Sequence, residues 1–338
     1  MIEIDGSVGE GGGQILRTSL SLSLLTGRPF KLLNIRANRT RPGLQPQHLM
    51  CVKAAGAICG AHYKGAEVGS STLYFEPGPV KAGNYTFAIG TAGATALVLH
   101  TVYLPLALRG AEPSTVVIVG GTHNPFAPCH HFNAITWGGY LAKLGITIEQ
   151  EMVRPGFYPR GGGEIRAVIH PCERIAPLTL TECPELNTAG GFAAVANLPA
   201  TIAKRVAQRL STKLKREKIE SHIPIEEWGG SLGAGCVAAV IFRQAPAPTL
   251  FFGLGERGKS AESVADDALE EALRHREAKA PVDPHSADQL LLPLAFASGR
   301  SEYRASHVSR HLTTNIDTVK LFVDRAIRLD DDNRVVVE

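Results

Sequence analysis

Little in this sequence points to disulfides, metal clusters or membranes. The six cysteines (Cys51, Cys59, Cys129, Cys172, Cys183, Cys236) include no C-x-x-C pair and no framework spacing. They read as buried or incidental thiols of a reducing compartment. Cys129-His130-His131 is the one clustered metal-ligand triplet, and adjacent residues do not readily face one ion. The most apolar run, Ala94–Leu108, carries His100 and Pro105 and is too short for a membrane span. The chain opens on a strand-like IEID with no basic-then-apolar leader, so a cytoplasmic protein without membrane attachment is expected. Charge of one sign is also missing: a net +3 does not by itself announce a nucleic-acid partner.

What the chain has is length and glycine. Its 338 residues allow two domains with well-buried cores, and 44% apolar with 20% charged residues describes an ordinary globular protein. The 35 glycines cluster in GEGGGQ, GTAGAT, GGTHNP, PRGGGE, GGSLGAG and GERGKS. Glycines grouped at element ends suggest close backbone approach to a ligand.

The elements follow a repeating order. Strand-like IEID leads through GSVGEGGGQ into an apolar helix closed by Gly27; PFKLLNIRANRTRPG reads as a strand, Gln45–Gly60 as a second helix, and AHYKGAEV with STLYFEPG as a hairpin. The order recurs from AGNYTFAIG through GTAGATALVLHTVYLPLALRG, STVVIVGGTHNPFAP and HHFNAITWGGYLAKLG to two strands around RPGFYPRGGG. A third copy is expected from about Ser286: SADQLLLPLAFASG as helix, SEYRASHVSRH as strand, an amphipathic helix over Asn315–Leu329, and DNRVVVE as the closing strand. The fold class is therefore α/β (α+β), three β-α-β-α-β-β units forming one large domain. Residues 1–182 and 281–338 make that domain, and residues 183–280 form a small inserted α/β domain between the second and third copies. The insertion carries a basic helix with Lys204, Arg205, Arg209, Lys213, Lys215, Arg216 and Lys218. Such a run is ordinarily a solvated face, and its alternative is a grip on a phosphate backbone.

Three strand-to-helix handovers carry the candidate chemistry. GEGGGQILR lacks the Gly-Lys-Ser/Thr ending of a phosphate loop, yet it sets small residues before a helix N-terminus, which suits a phosphate. Glu10 among those glycines would repel phosphate unless a divalent cation lies between, so it is a metal-ligand candidate; the competing reading is a plain turn with an exposed carboxylate. In the second handover Arg36, Arg39 and Arg41 fall within six residues, with Gln47 and His48 just beyond a Pro-Gly turn. Two or three such guanidiniums can gather around a dianion with bidentate donors. In the third, His311 sits where a strand hands over to a helix, a place where side chains point into a cleft. A lone His there is ordinarily a cap or a core residue; its company makes it a candidate nucleophile.

In this order GEGGGQILR, IRANRTRPGLQPQH, GGTHNPFAP, GFYPRGGGEI, ADQLLLP and HLTTNI resemble the RNA 3′-terminal phosphate cyclases, over the full chain. The resemblance implies three repeated units with a smaller inserted domain. It implies conversion of an RNA 3′-phosphate to a 2′,3′-cyclic phosphate with ATP as co-substrate, through a covalent histidine–adenylate. On the matching positions it makes His311, not His307, the nucleophile and Glu10 the ligand of Mg²⁺ or Mn²⁺. Phosphate and RNA contacts fall on Arg17, Arg36, Arg39, Gln47 and His48. The nucleotide pocket falls on Gln14, His100 and the segment His285, Ser286, Ala287, Asp288 and Gln289. Three positions depart from the family pattern: His100 stands where a Gln is usual, Pro155 where Arg or His is, and CHHF follows GGTHNPFAP where an Asp is common. A non-catalytic relative lacking the histidine is disfavoured by His311, and an enolpyruvyl-transferase-like enzyme of similar units would not need it.

Overall fold

The computed structural model describes residues 1–338. The first unit comprises β1 (Ile2–Asp5), α1 (Gln14–Thr26), β2 (Phe30–Leu33), α2 (Pro46–Cys59), β3 (His62–Lys64) and β4 (Leu73–Glu76). Its sheet runs β1-β2-β4-β3, with β1 and β2 parallel and the remaining pairs antiparallel. The second unit repeats it: β5 (Asn84–Ala88), α3 (Thr95–Arg109), β6 (Ser114–Gly120), a π-helical turn (Phe132–Trp137) leading into α4 (Gly138–Lys143), then β7 (Ile148–Arg154) and β8 (Gly163–Ile169). Here the order is β5-β6-β8-β7.

The third unit starts earlier than the sequence suggests. The two-residue β9 (Thr179–Leu180) comes next, followed by the insertion: β10 (Thr188–Ala196), α5 (Ala200–Arg216), β11 (Glu220–Ser221), β12 (Ile225–Glu227), β13 (Gly235–Phe242), β14 (Thr249–Leu254) and α6 (Ala261–Ala278). Then follow α7 (Pro284–Leu294), β15 (Ser301–Arg304), α8 (Arg310–Phe322), β16 (Ile327–Leu329) and β17 (Arg334–Val337). Strand β9 pairs parallel with β15 in a sheet ordered β16-β17-β15-β9, the same topology as the other two. The insertion therefore interrupts the third unit after its first strand. The long amphipathic helix expected over Asn315–Leu329 is α8, which starts earlier, behind the Ser309 cap, and gives way to strand β16 at Ile327.

Strands β6 and β8 alternate buried and less buried residues, as sheets covered on one face do. The covering helices share one interior, in which α1 packs against α2, α3 and α8. One apolar core of 69 residues runs through all three units and takes in Phe192, Val237 and Leu250 of the insertion. A second core of 22 residues lies within the insertion, where α5 and α6 pack on β13 and β14. The handovers β1→α1, β2→α2 and β15→α8 meet because α1 touches both α2 and α8. No helix is long and apolar enough to cross a membrane.

Candidate active site

Helix α1 begins at Gln14 with no side chain capping its first turn, so its free N–H groups face the Gly-rich loop. Two of that loop's glycines leave room for neighbouring side chains. A Cβ on Gly12 would collide with the Glu10 carboxylate, and one on Gly13 with His48 Nε2 and Arg17 Nη1. Glu10 is held from the third unit: its N–H donates to Thr314 Oγ1 (2.9 Å), one turn beyond His311 on α8. The Glu10 carboxylate forms an ion pair with Arg39, while its Oε2 is buried without a hydrogen-bond partner. Such an oxygen fits a cation. No cluster of three or more acidic, His or Cys side chains surrounds it, so an ion held there would take its other ligands from phosphate and water.

His311 lies in the first turn of α8, whose Ser309 cap accepts from the Leu312 N–H (3.2 Å). Its Nδ1 is 2.8 Å from Gln14 Oε1, and Gln14 Nε2 donates to Asp288 Oδ2. An ionised carboxylate only accepts, so the amide turns its NH₂ to Asp288 and its oxygen to His311. While Asp288 is ionised, Nδ1 then carries the proton and the Nε2 lone pair is free. Burial, Arg17, Arg39 and His285 lower the His311 pKa and keep the ring neutral at neutral pH. Burial raises Asp288 to about 7, with His285 and Arg17 opposing the rise. Asn315 locks the surroundings, donating to the Asp288 carbonyl (2.6 Å) and accepting from Thr18 Oγ1 (2.7 Å).

A cleft of about 1040 Å³ opens on this group. Of the residues expected in the nucleotide pocket, Gln14, His100, His285, Asp288 and Gln289 line it, together with Arg17 and His311. The buried Gln289 Oε1 has no partner and is free for a ligand donor. His285 is raised to about 9, because Glu271, Asp283 and Asp288 outweigh the burial that lowers it. His100 Nε2 lies 3.0 Å from Asn133 Oδ1 while its ring stacks on Trp137, and burial lowers it to about 4.

The other expected residues are not among those that line this cleft. Ser286 and Ala287 are wholly buried and do not line the cleft; the Ser286 N–H is bound by Asp283, and the Ala287 carbonyl accepts from Tyr303. Gln47 Oε1 accepts from the Ala94 N–H (3.1 Å), tying the first unit to the start of α3. Arg36 adopts φ 54° and donates to the Arg41 and Gly43 carbonyls, so it braces its own loop. His48 Nδ1 accepts from the Gln45 N–H (3.2 Å), and burial together with Arg17 and Arg36 lowers it to about 3. Its Nε2–H therefore faces the Gly-rich loop as a neutral donor. Arg39 remains exposed beside Glu10 and His311.

The RNA 3′-terminal phosphate cyclase family model matches residues 8–329. The chain belongs to the RNA 3′-terminal phosphate cyclase family. It is 44% identical over 325 residues to the RNA 3′-terminal phosphate cyclase of Pseudomonas fluorescens, covering 96% of this chain and 92% of that one. To that of Caldivirga maquilingensis it is 42% identical over 341 residues, covering 99% and 96%. The match runs through the insertion, and the insertion's wall of the cleft is the part of the site that sequence reasoning missed. Gly253, Leu254, Gly255, Glu256, Arg257 and Lys259 line the cleft, and Gly253–Ser260 even spells a phosphate-loop pattern between β14 and α6. That loop satisfies itself, since Lys259 donates to the Leu254 carbonyl and pairs with Asp267. The basic helix α5 is likewise neutralised in part, with Arg205 on Glu262 and Arg209 and Lys213 on Asp266.

Proposed function

We propose that this protein uses ATP to convert an RNA 3′-phosphate into a 2′,3′-cyclic phosphate, with His311 Nε2 as the nucleophile. The observation that carries this reading is the His311 imidazole on the wall of a large cleft, its pKa lowered by burial, Arg17 and Arg39, with Nδ1 engaged by Gln14 Oε1 at 2.8 Å and Nε2 left for the substrate. Nε2 attacks the α-phosphorus, the α–β P–O bond breaks, and pyrophosphate leaves with the electron pair. Arg17 and Arg39 offset the charge that develops. Glu10, with its unpartnered Oε2, is the side chain that would hold Mg²⁺ or Mn²⁺, which supplies charge neutralisation on the phosphates.

An oxygen of the RNA 3′-phosphate then takes the adenylyl group, and the P–N bond breaks back to His311. The neighbouring 2′-hydroxyl attacks the activated phosphate and expels AMP, a step that needs mostly positioning. DNA, lacking that hydroxyl, cannot be cyclised. At least one of His48, through its Nε2–H, and Arg39 would hold the RNA end.

Incubation with α-labelled ATP and Mg²⁺ tests the reading. Protein-bound label is expected, acid-labile and alkali-stable. His311→Ala should abolish it, and His307→Ala, which alters an exposed side chain, should leave it. Equal labelling of wild type and His311→Ala would overturn the assignment.

A further inference from the structure

We infer that Gln14 and Asp288 form a proton-holding relay in which Gln14 is a positioning residue for His311 and Asp288 sets which way its amide points. The inference rests on the proposed chemistry at His311 and deepens it. The relay joins three helices: Asp288 on α7 accepts from Gln14 on α1, and Gln14 accepts from His311 Nδ1 on α8 at 2.8 Å. Asn315 of α8 ties the same three helices together beside the relay, donating to the Asp288 backbone carbonyl and accepting from Thr18 Oγ1 of α1.

The relay serves both halves of the transfer. When Nε2 forms the bond to phosphorus, the Nδ1 proton stays on the ring, which becomes an imidazolium. The Gln14 oxygen accepts from that N–H, and the Asp288 carboxylate behind the amide stabilises the positive charge. When the P–N bond breaks, its electron pair returns to Nε2 and the departing ring is a neutral imidazole. Without the Nδ1 proton the leaving group would be an imidazolate anion, a far poorer one.

The same geometry contains a switch. A protonated Asp288 becomes a donor, and its O–H then turns the Gln14 oxygen toward itself and the NH₂ toward His311. Nδ1 can then only accept, the proton moves to Nε2, and the nucleophilic lone pair is lost. The charged and titratable groups facing Asp288 are His285 and Asp283 on and before α7, Arg17 on α1 and the Tyr303 hydroxyl on β15. Burial raises Asp288 to about 7, which puts the switch near neutral pH.

Two readouts test this. In protein labelled with ¹⁵N-histidine and without nucleotide, the ring shifts of His311 should show the Nδ1–H form at pH 8 and a shift toward Nε2–H on acidification through 7. Gln14→Met, close in shape but unable to accept, should lose the preference. Asp288→Asn, a neutral acceptor of similar size, should lose the pH dependence. In single-turnover adenylylation the wild-type rate should fall through the same range, and Asp288→Asn should remove that limb and leave only the lower limb of His311 itself. Gln14→Met should slow both adenylyl transfer and its reversal by pyrophosphate by roughly tenfold to a hundredfold, the scale of a lost charge-assisted hydrogen bond. A tautomer unchanged in folded Gln14→Met, or an acid limb unmoved in Asp288→Asn, would overturn the relay. Normal ring-shift behaviour with no protein-bound label in the wild type would instead spare the relay and refute the proposed reaction.

Discussion

Glu10 and Arg39 pair with each other, whereas the proposed reaction asks Arg39 to meet phosphate and Glu10 to hold a cation. Removing Glu10 would free Arg39 but delete the carboxylate proposed to hold the cation. Glu10→Ala should therefore slow adenylylation, with partial recovery at raised Mg²⁺ or Mn²⁺. A rate and metal dependence equal to wild type would reduce the loop to a structural turn. Arg39→Ala, tested on pre-adenylylated enzyme given RNA with a 3′-phosphate, should lose roughly tenfold to a hundredfold in cyclic product, with Arg39→Lys only partly restoring it. Arg36→Ala should instead show itself in stability, because its guanidinium is spent on the Arg41 and Gly43 carbonyls. Letters alone ranked these arginines together; the positive φ at Arg36 and the loop's closure decide between them. Glu10 and His311 were legible because each is an odd residue in its surroundings. The role of Gln14 was not, since its partners stand 274 and 297 residues away in sequence.

Among elements, periodicity and turn residues revealed most helices and strands, and they failed where tertiary contacts make the element. Strand β9 is two residues long and becomes a strand only because β15 lies parallel beside it. Its omission moved the insertion from inside the third unit to a place before it. The basic helix α5 shows the same limit. Its charges were plain in sequence, but the matching acids on α6 were not, although Arg205–Glu262 and Arg209–Asp266 recur at one helical turn on both helices. These exposed pairs add little stability. They do remove cations from any RNA surface, so Arg205→Ala with Arg209→Ala should leave the affinity for a 3′-phosphorylated RNA and its salt slope unchanged. A reduced salt slope would mean that α5 holds the backbone after all.

The whole molecule is a clasp, and its jaws meet through histidines. Trp228, just after β12 of the insertion, stacks on His131 (ring centroids 5.0 Å apart) and lies 5.1 Å from His123, while Phe192 of β10 lies 4.7 Å from His131. His123 and His131 hydrogen-bond to each other (Nε2 to Nδ1, 3.1 Å), which a doubly charged pair cannot do. In the CHHF stretch the His131 ring serves as aromatic surface against Phe192 and Trp228 of the insertion. Burial, with His131 and His130, holds His123 well below its ordinary value; burial sets His130 at about 3 and His131 at about 4. In the unfolded chain these rings titrate near 6.5. Below that value the unfolded state binds more protons than the folded one, so stability is full above about pH 6.5 and falls as the pH drops toward the folded values. Each such ring contributes a slope of about 1.4 kcal/mol per pH unit in that window. Urea midpoints measured from pH 7.5 to 5 should therefore decline steeply below 6.5. His131→Phe keeps an aromatic face for Trp228 and Phe192 but removes one titrating ring, so its decline should be shallower by about one such slope. A His131→Phe curve running parallel to the wild type would show that His131 is protonated alike in both states, and that the clasp does not depend on its neutrality.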